Sequence, residues 1–193
     1  MAPRTERADA ARNRARVLAA ADELFTRRTP EDVTMEDIAR AARVGKGTLY
    51  RRFPSREAIA TALLDDHERE LQERLIRGAP PLGPGAPPAD RLAGFYVAMV
   101  DLLEKHGHLA LAGETGARRF ATGAYSFWRA HVRALLTDAG LNDEQDAMVD
   151  PLLAPLAPEL YQYQRRTLRL TPQQIARALA EIGRRVLATG QTG

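Results

Sequence analysis

The sequence has no cysteine, only two lysines (Lys46 and Lys105) among 28 basic residues, and 13 valines and isoleucines against 58 alanines and leucines. Without cysteine there is no disulfide framework, no thiolate metal site and no cysteine nucleophile. The scarcity of β-branched residues favours helices over strands, because branched side chains suit a pleated surface and straight ones lose little freedom in a helix. The near-absence of lysine is read as genomic base composition and carries no functional weight. No apolar run reaches the roughly 18 to 20 residues needed to span a bilayer, and the N-terminus is charged from Arg4 onward, without a signal-peptide stretch. A soluble, cytoplasmic chain with no membrane partner is expected. At 193 residues and 45% apolar, the chain suits one compact domain or two small ones sharing a core.

The formal net charge of +3 is unevenly spread. Residues 1–56 hold 13 basic and 8 acidic side chains, a net of +5, whereas residues 57–193 hold 15 and 17, a net of −2. A positive field at one end attracts a polyanion, and counterion release from nucleic acid makes that attraction salt-dependent. Arginines that only solubilise a helix surface would give the same arithmetic, so a motif is needed to decide.

Apolar periodicity predicts a first helix from about Asp9 to Arg28, with Val17, Leu18, Ala21, Leu24 and Phe25 on one face, ended by Thr29 and Pro30. Thr34 starts a second helix as N-cap, with Asp37 three residues on in an acidic variant of the capping box. A third short segment begins at Gly45, and Pro54 with Ser55 introduces a longer helix reaching about Arg77. Gly78 to Pro88 is crowded with glycine and proline and reads as a mobile or polyproline-like connection. A helical pattern resumes from Asp90 to Lys105, is interrupted at Gly107, and continues as a shorter segment to Gly113. A long helix follows from about Gly116 to Ala139, closed by Gly140. From Asp143 to Leu170 the prolines at 151, 155 and 158 divide a helical stretch, with a restart at Pro158. Thr171 and Pro172 then open a final helix.

Two short helices joined by a tight turn, the second rich in small, hydroxyl and basic side chains, meet the requirements of a helix-turn-helix whose second helix lies in the major groove. Ile38, Ala42, Val44, Leu49 and Phe53 would pack this unit on the first helix. Each glycine inside a helix costs roughly 1 kcal/mol against alanine, so Gly45 and Gly47 imply a compensating reason, and close approach to DNA is one.

From about Arg14 to Leu64 the chain resembles the TetR family of bacterial one-component transcriptional regulators. The resemblance rests on Leu24-Phe25, on Val33-Thr34-Met35-Glu36-Asp37-Ile38-Ala39, on Val44-Gly45-Lys46-Gly47-Thr48-Leu49-Tyr50 and on Phe53-Pro54-Ser55-Arg56-Glu57. One departure is Gly45, where many members carry serine or another capping residue. The resemblance implies an all-α fold, with a three-helix DNA-binding domain over residues 1–56 and a helical regulatory and dimerisation domain over 57–193. It implies double-stranded DNA as partner, with Thr34 holding a phosphate through its hydroxyl and backbone N–H. Lys46, Tyr50 and Arg51 would contact phosphates, Gly47 would allow close approach, and Arg43 and Thr48 would reach base edges. Arg4 and Arg7 are either a minor-groove arm or a disordered tail.

A regulator of this kind works as a homodimer on an inverted-repeat operator, because two recognition helices must reach major-groove faces about 34 to 36 Å apart. The expected interface combines Leu152, Leu153, Leu156 and Leu160 with Ile175, Leu179, Ile182 and Val186. Burial of the same residues inside one subunit is the alternative. Phe95, Tyr96, Met99, Leu103, Phe120, Tyr125, Phe127 and Trp128 are candidates for an effector pocket, although aromatics at helical spacing are also what a core requires. An apolar or aromatic small molecule would suit them. The helix running from Ser55 to Arg77 touches both halves, so its displacement by an effector would carry the signal.

His106 and His108, with Glu114 nearby, invite a metal site, but four histidines with no pair at four-residue spacing favour a solvated helix end, and neither metal nor cofactor is expected. No phosphate loop, nucleophile elbow, His-Glu-x-x-His helix or Ser/His/Asp grouping points to an enzyme. The remaining alternatives to an effector-released repressor are a constitutive DNA-binding dimer and an activator.

Overall fold

The computed structural model describes residues 3–28, 32–112, 120, 122–141 and 145–188. Among them the regular elements are all helical: α1 (Pro3–Arg27), α2 (Met35–Ala42), α3 (Lys46–Arg52), α4 (Arg56–Arg77), α5 (Pro88–Ala112), α6 (Gly123–Asp138), α7 (Gln145–Leu153), α8 (Pro158–Arg166) and α9 (Pro172–Ala188), with a single 3-10 turn, Ala154–Leu156, between α7 and α8. None of these helices is long and apolar enough to cross a membrane.

The chain divides into two compact units. One comprises Met1–Asp66 with His108–Thr115, the other His67–Gly107 with Gly116–Gly193. The first unit closes on Val17, Leu18, Ala21 and Phe25 of α1, Ile38, Ala39 and Ala42 of α2, Leu49 of α3, Ile59, Ala60 and Leu63 of α4, and Leu109. Phe53, which follows α3, joins them, and Val44 packs against this core from a half-buried position. Helix α4 also supplies Leu71 and Leu75 to the core of the second unit, where they join Leu92, Phe95 and Tyr96 of α5, Trp128, Val132, Leu135 and Leu136 of α6, and Ile175, Leu179 and Leu187 of α9.

Local chemistry sets most boundaries. Thr34 caps α2, its hydroxyl accepting from the Asp37 N–H at 3.1 Å while the Asp37 carboxylate accepts from the Thr34 N–H at 3.3 Å. Ser55 accepts from Ala58 N–H at the start of α4 (3.3 Å) and Thr122 from Tyr125 N–H at the start of α6 (3.1 Å). Gly140, at φ 84°, closes α6, with Leu141 N–H reaching back to the Leu136 carbonyl at 3.0 Å; glycine occupies this left-handed position without a Cβ clash. Pro158 opens α8 at the first turn, where its missing N–H has no partner to lose.

Four features depart from expectation. Helix α1 begins at Pro3, some six residues before the apolar periodicity starts, since proline is tolerated in a first turn and the following residues are fair helix formers; its expected stop at Thr29 and Pro30 lies outside the described residues. Helix α5 runs through Gly107 to Ala112, because one glycine lowers helix propensity without ending a helix. Gly78 to Pro88 is not polyproline-like but folds into hydrogen-bonded turns. Its turns are held by Gly78 N–H to Arg74 carbonyl (2.8 Å) and Gly83 N–H to Ala79 carbonyl (3.0 Å), Leu82 packs on the core, and a side chain at Gly83 would put its first carbon 1.8 Å from the Gly78 carbonyl oxygen. The glycines let the chain fold back on itself. Finally, α6 starts at Gly123, after its Thr122 cap; residues 113–119, with Glu114 and the expected start at Gly116, lie outside the described set. His106 stacks on His67 with ring centroids 3.5 Å apart.

The second unit carries a histidine, His131 on α6, whose ring lies 5.3 Å from that of Phe95 and parallel to that of Phe127. Burial, and then the positive charge of Arg91, lower its pKa from 6.5 to about 4. The imidazole is neutral in the folded chain, whereas the unfolded chain binds a proton below about pH 6.5. Its contribution is therefore full above pH 6.5 and is lost as pH falls towards 4, by at most about 3 kcal/mol. The expected outcome is a thermal midpoint that drops between pH 7 and pH 5 by less in His131→Leu than in the unchanged chain; equal drops would assign the acid sensitivity elsewhere.

Candidate nucleic-acid interface

Helix α3 has seven residues, too few to be stable alone, so its position is dictated by what holds it. Leu49 and Phe53 are buried in the core of the first unit, which turns the opposite side outward. On that side Lys46 and Gly47 are exposed and Tyr50 is 45% exposed. The Lys46 ammonium stands 3.0 Å from the Glu36 carboxylate, and that contact holds the Glu36 pKa below its ordinary value.

The turn before α3 is unusual. Arg43 ends α2 in the left-handed region at φ 53° and ψ 46°, a conformation that glycine adopts freely and an arginine adopts at a cost. Val44 N–H bonds the Ala39 carbonyl at 3.0 Å, which completes a Schellman-type ending. From α1 the Arg16 guanidinium donates to the Ala42 carbonyl through Nε (3.2 Å) and Nη2 (2.9 Å), and through Nη2 to the Arg43 carbonyl (2.7 Å). A cation thus sits on the carbonyl end of α2, where the helix dipole is negative. Sequence reasoning does not find Arg16, because the contact joins positions 26 and 27 residues apart. Arg169, at φ 57°, is a second exposed arginine in the left-handed region.

The seven residues assigned to DNA from the sequence are not equivalent. Lys46, Gly47 and Tyr50 share the exposed side of α3, and Arg43 stands at the turn beside them. Thr48 is half-buried and, with Arg51, lines a groove of about 340 Å³ bordered by Asp9, Asn13 and Arg14 of α1 and by Arg52. Thr34 is the N-cap of α2. Its N–H and its hydroxyl both donate to Asp37, the hydroxyl at 2.8 Å, so the donors assigned to phosphate are engaged by the capping box. These bonds hold Asp37 below its ordinary pKa, keeping a negative charge where a phosphate would approach.

The expected effector residues divide as well. Phe95, Tyr96, Met99, Leu103 and Trp128 are buried, and Tyr96 donates its hydroxyl to the Leu152 carbonyl at 2.9 Å. Phe127 and Tyr125 flank this core. Phe120 is exposed and lies edge-on to Tyr125 at 5.0 Å. Of the expected dimer residues, Leu152, Leu153, Leu156, Ile175 and Leu179 are buried within the single chain, whereas Leu160 and Ile182 are exposed and Val186 is half-buried.

Residues 17–63 match the profile of the bacterial regulatory proteins of the tetR family. That segment, which holds α2 and α3, is similar to the TetR family. The chain is 34% identical over 128 residues to an uncharacterized HTH-type transcriptional regulator of Mycobacterium tuberculosis strain CDC 1551, a match covering 66% of this chain and 60% of that relative, so the chain spans less than two thirds of its length. The HTH-type transcriptional repressor DhaR of Mycobacterium sp. strain GP1 is 29% identical over 87 residues, covering 45% of this chain and 43% of DhaR. The crystal structure of a TetR transcriptional regulator from Rhodococcus sp. RHA1 superposes with a TM-score of 0.64 at 20% identity, covering 94% of this chain and 98% of that one, a likeness of fold. Like that structure, the chain pairs an N-terminal helix-turn-helix with a C-terminal helical region.

A Cβ at Gly47 would meet nothing within 4 Å in the chain, so internal packing does not require glycine there. Gly47→Ala is expected to keep or raise stability, by up to about 1 kcal/mol from helix propensity, while weakening DNA binding at least tenfold through the added methyl group. A thermal melt and a fluorescence-anisotropy titration read the two effects separately; unchanged affinity would remove close approach as the reason for the glycine.

Proposed function

We propose that the chain is a one-component transcriptional repressor that binds an inverted-repeat operator as a homodimer and is released by a small apolar or aromatic effector. The observation that carries this reading is the outward side of α3, with Lys46, Gly47 and Tyr50 exposed beside a strained Arg43 while Leu49 and Phe53 anchor the helix from behind. The repressor sign takes its support from DhaR, named a repressor. Residues 1–56, with their net charge of +5, do the DNA reading, and residues 57–193 do the sensing and pairing.

In this account Lys46, Tyr50 and Arg51 hold phosphates and fix register, while Arg43 and Thr48 read base edges, arginine favouring guanine O6 and N7. Thr34 acts through α2, by capping it, rather than through its own donors. The dimer forms through α8 and α9, with the exposed Leu160, Tyr163 and Ile182 as the surface a second copy covers, and Val186 at its edge. The buried leucines of the expected stripe support those helices from inside. Helix α4, which contributes to both cores, transmits the effector signal. Complete release requires a preference of about 10⁴-fold for the released form. A constitutive dimer is the second reading, favoured by the burial of Phe95, Tyr96, Met99, Leu103 and Trp128 in a common core.

An operator selected from random duplexes provides the test. Lys46→Ala and Tyr50→Ala should weaken binding to operator and random DNA alike, whereas Arg43→Gly should relax preference at one base position and, by relieving the left-handed strain, leave the chain as stable or more so. Equal losses on operator and random DNA for Arg43→Gly would exclude base reading. A selected site without an inverted repeat, or a chain that sediments as a monomer on it, would contradict the dimer.

A further inference from the structure

Most arginines of the second unit that face a carboxylate do so closely. Arg165 bonds Glu104 at 2.7 and 2.9 Å, and Arg129 bonds Asp150 at 2.9 Å. Arg91 on α5 differs. Its side chain is only 17% exposed, its ion pair with Asp138 is stretched to 3.8 Å, and its buried Nε has no hydrogen-bond partner among the described residues. One helical turn along α5 is Phe95, and against Phe95 lies His131, whose buried Nε2 also has no partner among the described residues. A buried donor left unsatisfied costs on the order of 1 to 3 kcal/mol, and two in one neighbourhood ask for an explanation.

The surroundings are aromatic. Phe95 and Trp128 are 5.8 Å apart, Phe127 stands edge-on to Trp128 at 5.4 Å, and Phe127 and His131, one turn apart on α6, hold their rings parallel within 4°. Phe127 and His131 are half-buried, so the cluster reaches the surface at these two residues, while the two nitrogens themselves are buried. Nearby Asp138 is 56% exposed and its long contact leaves Arg91 capacity for a closer acceptor. A planar carboxylate matches a guanidinium in two-point fashion and still has a lone pair for an imidazole N–H. An aromatic ring attached to it would stack against the parallel faces of Phe127 and His131.

We propose that Arg91 and His131 form the anion-holding end of the effector site, and that the effector is an aromatic monocarboxylate whose ring lies among Phe95, Phe127 and Trp128. The proposal rests on the effector reading above and narrows it to a chemical class. His131 is among neither the core aromatics nor the apolar stripe that the sequence pattern selects, and Arg91 looks there like an ordinary first-turn arginine.

Benzoate and phenylacetate are the probes, with benzamide and phenylacetamide as neutral counterparts of the same shape. Isothermal titration of the full chain should show at least one carboxylate binding tenfold or more tightly than its amide. Arg91→Gln and His131→Gln should each lose tenfold or more of that affinity, whereas Arg129→Gln, on the same helix as His131 but bonded to Asp150, should not. The carboxylate-to-amide comparison uses the unchanged chain and holds even if a variant folds poorly. Equal binding of carboxylate and amide, undiminished carboxylate binding in both variants, or no binding of either carboxylate would overturn the proposal. Operator release by the neutral amides would overturn the charge requirement and leave the effector reading standing. Failure of a broad compound set to release operator would overturn the effector reading itself.

Discussion

The bonds from Arg16 to the carbonyls of Ala42 and Arg43 join α1 to the turn on which the recognition helix depends. A seven-residue helix does not orient itself. Leu49 and Phe53 pull one side of α3 into the core, but burial alone leaves the entry angle to the three residues between α2 and α3. That turn contains a left-handed arginine, held by Val44 N–H on the Ala39 carbonyl and by Arg16 on the carbonyls of Ala42 and Arg43. The guanidinium satisfies them and opposes the dipole of α2 with a positive charge. At the other end of α2 the Thr34–Asp37 box plays the matching part. With both ends fixed, the outward placement of Lys46, Gly47 and Tyr50 follows.

The two units spend their polar groups differently. In the first, cations stand outward on α3 and at the turn before it, which suits a surface that meets a rigid polyanion. In the second, polar side chains mainly close the fold: Tyr96 reaches the Leu152 carbonyl, and Glu104 receives both the Tyr161 hydroxyl at 2.7 Å and the Arg165 guanidinium, which keeps Glu104 below its ordinary pKa. Close packing accompanies this, since a Cβ at Gly183 of α9 would stand 3.0 Å from the Tyr96 ring and 3.2 Å from Leu92. The buried nitrogens of Arg91 and His131, like His67 Nε2 and Gln164 Oε1, are exceptions, with no partner among the described residues.

Features of local origin were legible in the sequence. The capping box at Thr34, the stop at Gly140 and the restart at Pro158 each depend on residues within one turn of each other, and so did the motifs that mark the helix-turn-helix. Features that depend on distant partners were not. Nothing near Arg16 says that it will meet position 42. Apolar periodicity identified the buried stripe of α7 to α9 but did not distinguish a core inside one chain from a surface between two; only exposure separates Leu160 and Ile182 from Leu152 and Leu179. Glycine misled in both directions, since Gly107 does not end α5 and the glycines at 78 and 83 tighten a loop instead of loosening it.

The central claim is that Arg16 positions the recognition helix without touching DNA itself. Its most direct test is the salt dependence of affinity for the selected operator and for random duplex, measured for the unchanged chain and for Arg16→Ala. A positioning role predicts a smaller operator-to-random ratio, with the slope of log affinity against log salt unchanged. A slope shallower by about 0.9, the value of one lost phosphate contact, with the ratio preserved, would show that Arg16 binds the backbone and would contradict the account.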